Sequence, residues 1–119
     1  MISVIVRFVA DLNVDGDDLK RKCVTTVEAS SYTPETLDRL IPELLSQAVT
    51  SLGVNQLSGL KEGNPEIGIC ITSDEGQRAA FNISAETVAL LCAAGAGIDF
   101  DPYMSDAANP GCDEPPSWD

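Results

Sequence analysis

Residues 33–53 read TPETLDRLIPELLSQAVTSLG, and the rest of the chain is arranged around this stretch. Thr33 can accept a hydrogen bond from the free amides that open a helix, Pro34 suits the first helical position, and Glu35 complements the positive end of the helix dipole. Leu37, Leu40, Ile41, Leu44, Leu45, Ala48, Val49 and Leu52 then recur at intervals of three and four. They form one apolar stripe, which has to be buried against another layer. Pro42 deletes the bond to the Asp38 carbonyl, so the pattern predicts either a kinked helix or two short helices that abut. Gly53 ends the helix, and a Gly-, Asn- and Pro-containing connection leads to Pro65.

The partner layer is a sheet. Ile2 to Ala10 is too continuously apolar to have one wet face, which predicts a central strand covered on both sides. Residues 11–22 read as an insertion of turn residues beside a charged face, and Cys23 to Ala29 as a β stretch. Glu66 to Thr72 alternates, with Ile67, Ile69 and Ile71 on one side and Glu66, Gly68, Cys70 and Thr72 on the other. A turn at residues 73–76 leads to a short strand near residues 78–83. Ser84 then caps a helix that carries Glu86 in its first turn, buries Val88, Leu91 and Cys92, and stops at Gly95. Ile98 and Phe100 mark the last strand. This order predicts an α+β fold: a ferredoxin-like (split βαβ) antiparallel sheet with two helices on one face and an insertion after the first strand. The expected organisation is one domain over residues 1–103 and an acidic, Pro-rich tail over 104–119.

The chain has 119 residues, with 19 Asp and Glu against 7 Lys and Arg, for a formal charge of -12. Phosphate backbones and anionic lipid surfaces repel such a protein, so neither a nucleic acid nor a membrane is an expected partner. Charge alone fits two readings equally, attraction of a basic protein or simple solubility. The apolar start has no basic residues ahead of it and is too short to span a bilayer, so it reads as a strand and not as a signal. Cys23, Cys70, Cys92 and Cys112 stand far apart and there is no histidine. This predicts thiols, a cytoplasmic location, no zinc site, and core positions for Cys70 and Cys92.

Three clusters invite a chemical role. Asp11, Asn13, Asp15 and Gly16 open like a calcium loop, but Lys22 stands where the bidentate glutamate is needed, so a surface turn is expected. Lys20, Arg21 and Lys22 are the one basic run and read as a solvated face. Asp99 and Asp101 alternate with Ile98 and Phe100, which places both carboxylates on one face about 7 Å apart. Such a pair suits a metal or acid–base chemistry on a sugar, yet no histidine, phosphate loop or oxyanion-stabilising group accompanies it. A wetted strand face, or a face offered to a basic protein, is the better reading.

The segment FNISAETVALLCAAGAGIDFDPY, residues 81–103, resembles the C-terminal part of a bacterial family of unknown function. Members of that family end in a helix begun by an Ile-Ser-x-Glu-like cap, followed by a strand reading Asp-Phe/Ile-Asp-x-Tyr. The motif is structural and implies no catalytic residue or cofactor. In overall type the chain is similar to the immunity proteins of polymorphic or contact-dependent toxins. That similarity implies a non-enzymatic protein that binds a cognate toxin domain. The concentration of carboxylates after residue 98, with no Lys or Arg among them, points to a basic partner and to Asp99, Asp101, Asp106, Asp113 and Glu114 as the partner-binding residues. The rival readings are an acidic mimic or adaptor occupying a nucleic-acid-binding surface, and a metal-dependent enzyme using Asp99 and Asp101.

Overall fold

The helix expected at residues 33–52 forms as one piece. In the computed structural model, which describes residues 2–14, 18–73 and 82–104 and only the backbone at 14, 18, 73 and 101–104, α1 spans Thr36–Leu52 with Pro42 inside it. The two-helix alternative is not taken. Glu35 sits at the N-cap without a side-chain bond, and the turn before it does the capping. There the Thr33 hydroxyl accepts from Glu35 N at 3.3 Å, while Thr33 N donates to the Thr36 hydroxyl at 2.8 Å. This is a reciprocal box in which Thr36 takes the place usual for Glu or Gln. Leu37, Leu40, Ile41, Leu44, Leu45 and Ala48 of the stripe are buried.

Among the described residues the sheet beneath has four strands: β1 (Ile2–Val14), β2 (Asp18–Ala29), β3 (Glu66–Ser73) and β4 (Gly97–Met104), in the order β2-β1-β3-β4. β1 is antiparallel to both its neighbours. β3 and β4 are parallel and are joined through α2 (Ala85–Ala94), because parallel neighbours need a crossover. A 3-10 helix at Leu57–Gly63 links α1 to β3.

Two expectations are corrected here. The sheet is mixed, not antiparallel, and β3 and β4 lie side by side, so no strand splits this βαβ unit. The expected insertion at residues 11–22 is instead the far part of a β1–β2 ladder that reaches Val14 opposite Asp18. Its polar composition resembled a loop, yet a two-stranded ladder satisfies its own backbone and needs no buried side chains. Since β3 pairs with β1 only as far as Val9, residues 10–14 and 18–22 continue beyond the four-stranded part as a two-stranded ribbon. A bulge at Phe8/Val9, where β2 carries the extra residue Val24, marks the start of that ribbon. The turn expected at 73–76 and the strand expected at 78–83 fall mainly on residues 74–81, outside those described. Asn82 and Ile83 carry no strand. Met104, the first residue of the expected tail, still belongs to β4, and residues 105–119 lie outside the described set.

One core joins these layers. Val4, Val6, Phe8 and Ala10 of β1, Val27 of β2 and Ile67, Ile69 and Ile71 of β3 meet the α1 stripe, Leu60 of the 3-10 helix, and Leu91 and Ala94 of α2. α2 departs from expectation in its facing. Leu91 is buried, but Val88 is 51% exposed and Cys92 is exposed, while Thr87 and Ala94 turn inward. The sequence AETVALLCAA is apolar nearly all round, so its periodicity selects no face.

α2 ends in a left-handed residue, Gly95, at φ 66°, with Gly95 N bonded to Cys92 O and Ala96 N to Leu91 O. This is the paired arrangement that satisfies the last carbonyls. A Cβ at Gly95 would also stand 2.6 Å from Lys61 Cγ. Gly95→Ala should therefore cost about 1–2 kcal/mol from backbone conformation alone, read as a lowered urea midpoint at unchanged slope.

Candidate functional site

The pleat divides each strand between the helix-packed side and a distal face. On the distal face the register sets out rows of positions: 28, 5, 70 and 101 in one, 26, 7, 68 and 99 in the next. Asp99 and Asp101 thus occupy successive same-face positions of β4, as their alternation predicts. Asp99 is half-buried. Asp106, Asp113 and Glu114 lie outside the described residues.

Arg7 is a site residue that the sequence reading passed over. It is the only charge in the apolar run Ile2–Ala10 and is 8% exposed, in the same row as Asp99. Gly68 stands between them and puts no side chain in the way, so the two Cα atoms are separated by two strand spacings, about 10 Å. The available signal was the cation itself, because a guanidinium in a central strand has to be paired or hydrogen-bonded.

Arg21, expected in a solvated basic face, is a clamp. One of its guanidinium nitrogens lies 3.0 Å from Asp11 Oδ1 and donates at 3.0 Å to the Asn64 carbonyl, and the other lies 3.7 Å from Glu66 Oε1. It ties the ribbon to the start of β3. Asp11, the first acid of the calcium-like run, is therefore engaged by Arg21, while Lys20 and Lys22 remain exposed. Among the described residues no group of three or more His, Cys, Asp or Glu is arranged to hold a metal ion.

The cysteines also differ from expectation. Cys70 is buried and disulfide-bonded, and Cys23 and Cys92 are free and exposed. The expectation of four thiols is corrected accordingly. Cys70 faces the distal side, with Glu66 and Thr72, and stays outside the helix-side core.

A second polar centre joins the helices. Asp38 Oδ1 accepts from Ser84 N and from the Thr87 hydroxyl, both at 2.8 Å, and Ser84 Oγ accepts from Thr87 N at 3.2 Å. A carboxylate on α1 thus completes the cap of α2 and turns Thr87 inward. The Ser84 amide first, then the Thr87 hydroxyl, holds Asp38 below the usual carboxylate range, against the smaller opposing effect of desolvation. Burial pushes the Tyr32 phenol up and the Asp38 carboxylate adds to this, while a hydrogen bond with the Asn82 backbone offsets part of it.

No family model, curated protein or solved structure matches this chain. No helix among the described residues is long and apolar enough to cross a membrane.

Because Asp38 is more acidic in the folded state, its contribution is present above its unfolded pKa and is lost as pH falls through the depressed folded value. Asp38→Ala should cost about 1–3 kcal/mol at neutral pH. Asp38→Asn, which keeps an acceptor oxygen, should cost less. The stability difference between wild type and Asp38→Asn, followed by urea unfolding at stepped pH, should shrink below the ordinary aspartate range. A difference that stays constant with pH would show that the charge of Asp38 is not what holds the joint.

Proposed function

We propose that this chain is a binding protein of the immunity type, which neutralises a cognate, basic toxin domain by direct non-covalent contact. The observation that carries the reading is how the positive charges are used. The chain has 7 Lys and Arg, of which Arg7 is buried and Arg21 is engaged by Asp11 and the Asn64 carbonyl. Both of these cations are engaged within the fold, and the net charge of -12 gives the molecule a negative long-range potential. The asymmetry runs along the chain as well: from Asp99 to Asp119 there are six carboxylates and no Lys or Arg. Asp99 and Asp101 begin that run on β4, the outermost strand beside β3 among the described residues, and Asp106, Asp113 and Glu114 continue it in sequence. Complementary potentials of this kind favour fast, selective encounter with a basic surface.

The likeness of residues 81–103 to a bacterial domain family, and of the whole to immunity proteins in type, is part of this proposal. The cytoplasmic location expected from separated thiols loses its support with the Cys70 disulfide, since such bonds persist in oxidising compartments.

Affinity capture from the source cells followed by mass spectrometry identifies the partner, and stopped-flow mixing with that partner tests the mechanism. Raising ionic strength from 0.01 to 0.15 M shortens the screening length from about 30 Å to about 8 Å, so association should slow by about tenfold or more while dissociation changes little. Replacing Asp99 and Asp101 together by Asn should lower the association rate several-fold with the fold intact. An association rate indifferent to both salt and these substitutions would overturn the electrostatic reading.

A further inference from the structure

The two neighbours of β1 do not follow it equally far. Its ladder with β2 ends at Val4 opposite Ala29, whereas β3 stays paired with it as far as Ile2 opposite Ser73. The chain leaves the sheet after Ala29 and bends at Ser30 on its way to α1. A cleft of about 390 Å³ opens at that corner, lined by Ser3, Val4, Ile5, Glu28, Ala29 and Ser30. Its volume falls within the range of sites that take small ligands, about 300–1,000 Å³. The pleat decides what faces it. Val4 and Val6 belong to the helix-side core, so Ser3 and Ile5, which alternate with them, face the distal side, and Glu28 joins them because it stands opposite Ile5. Ser3 and Ile5 are half-buried, while Glu28 and Ser30 are exposed. The cleft thus offers one apolar side chain, two hydroxyls and one carboxylate.

Charge narrows the ligand. Glu28 is the charged residue among those lining the cleft, and both it and the net charge of -12 repel anions. A metal ion needs more oxygens than one carboxylate supplies, and among the described residues no group of three acidic or other ligating side chains gathers there. A purely apolar ligand would take water from the carboxylate without replacing its hydrogen bonds. A guanidinium answers each feature. Its planar fork donates two N–H bonds to the Glu28 carboxylate, further N–H groups donate to the serine hydroxyl oxygens, and its methylene stem lies against Ile5. An ammonium is more strongly hydrated and has no planar fork, so an open cleft holds it less well. Elsewhere the structure occupies carboxylates with its own groups: Asp11 and Glu66 face Arg21, and Asp38 accepts from Ser84 and Thr87. Glu28 is turned outward.

We infer that this cleft is a socket for an arginine side chain of the basic partner, with Glu28 as the anchoring carboxylate. The source of the arginine rests on the binding-protein reading given above. The socket adds to that reading a second contact, because β2 and β4 stand at opposite ends of the strand order, which separates Glu28 from Asp99 and Asp101. Long-range attraction belongs to the net charge, and the socket supplies a short-range contact that holds the partner once it has arrived.

The full chain tests the socket without the partner. The blocked tripeptide acetyl-Gly-Arg-Gly-amide is titrated at low ionic strength into isotope-labelled protein and followed by two-dimensional amide NMR. The amides of Ser3, Ile5, Glu28 and Ser30 should shift together along one saturating curve. Glu28→Gln, a change at an exposed position, should weaken binding several-fold, as expected for the loss of one exposed charged pair. Citrulline in place of the peptide's arginine, which keeps the shape without the charge, should do the same on the unaltered protein, and lysine should also bind more weakly. Shifts scattered over the acidic surface without saturation, or equal binding by the Glu28→Gln protein, by the citrulline peptide or by the lysine peptide, would each overturn the socket. Any of these results leaves the binding-protein reading to be decided by the salt dependence of association. With the captured partner, Glu28→Gln should raise the dissociation rate several-fold, and a dissociation rate indifferent to Glu28 would overturn the partner's arginine as the occupant.

Discussion

β1 is the element on which the rest of the molecule depends, because it is hydrogen-bonded along both edges and buried on both sides. Its antiparallel ladders run to β2 from Val4 to Val14 and to β3 from Ile2 to Val9. Val4, Val6, Phe8 and Ala10 supply the helix-side core, while Arg7 and Val9 are buried on the distal side. A strand held this way has one allowed register, since a slip of one residue would send Phe8 to the distal face and Arg7 into the apolar core. β3 takes its register from β1, β4 from β3, and the helices settle on the face that results.

The second constraint is polar. α2 has little amphipathic preference of its own, so its rotation about its axis is set by the two bonds to Asp38 and by the Ser84 cap. That joint connects residues 46 and 49 apart in sequence. It accounts for an exposed Val88 and Cys92 beside a buried Thr87, an arrangement that hydrophobicity alone would not select. Once α2 is fixed, β4 is laid beside β3 and Asp99 is brought into line with Arg7.

Charge in this protein is sorted by position and not only by sum. Arg7 and Arg21 act inside the structure, one under the distal face and one as the clamp between ribbon and β3, and the unpaired excess is negative. The proposed partner surface draws on that sorting.

Much was legible from local chemistry. The α1 stripe, the Thr33 turn, the Ser84 cap and the left-handed stops at Gly53 and Gly95 each depend on a few neighbouring residues, and the central placement of β1 follows from its predominantly apolar run. Alternation also placed Cys70 on the side away from Ile69 and Ile71, and Asp99 and Asp101 on one face. What the sequence could not decide alone were the long-range pairings. The ribbon at residues 10–22 looked like a loop because a two-stranded ladder bonds backbone to backbone and leaves little trace in side-chain pattern. Strand order was hidden because adjacent parallel strands and split ones present the same order of elements along the chain. The facing of α2, the clamp by Arg21, the burial of Arg7 and the bonding of Cys70 were settled only in three dimensions, where groups distant in sequence meet and each polar one, once withdrawn from water, must find its partner.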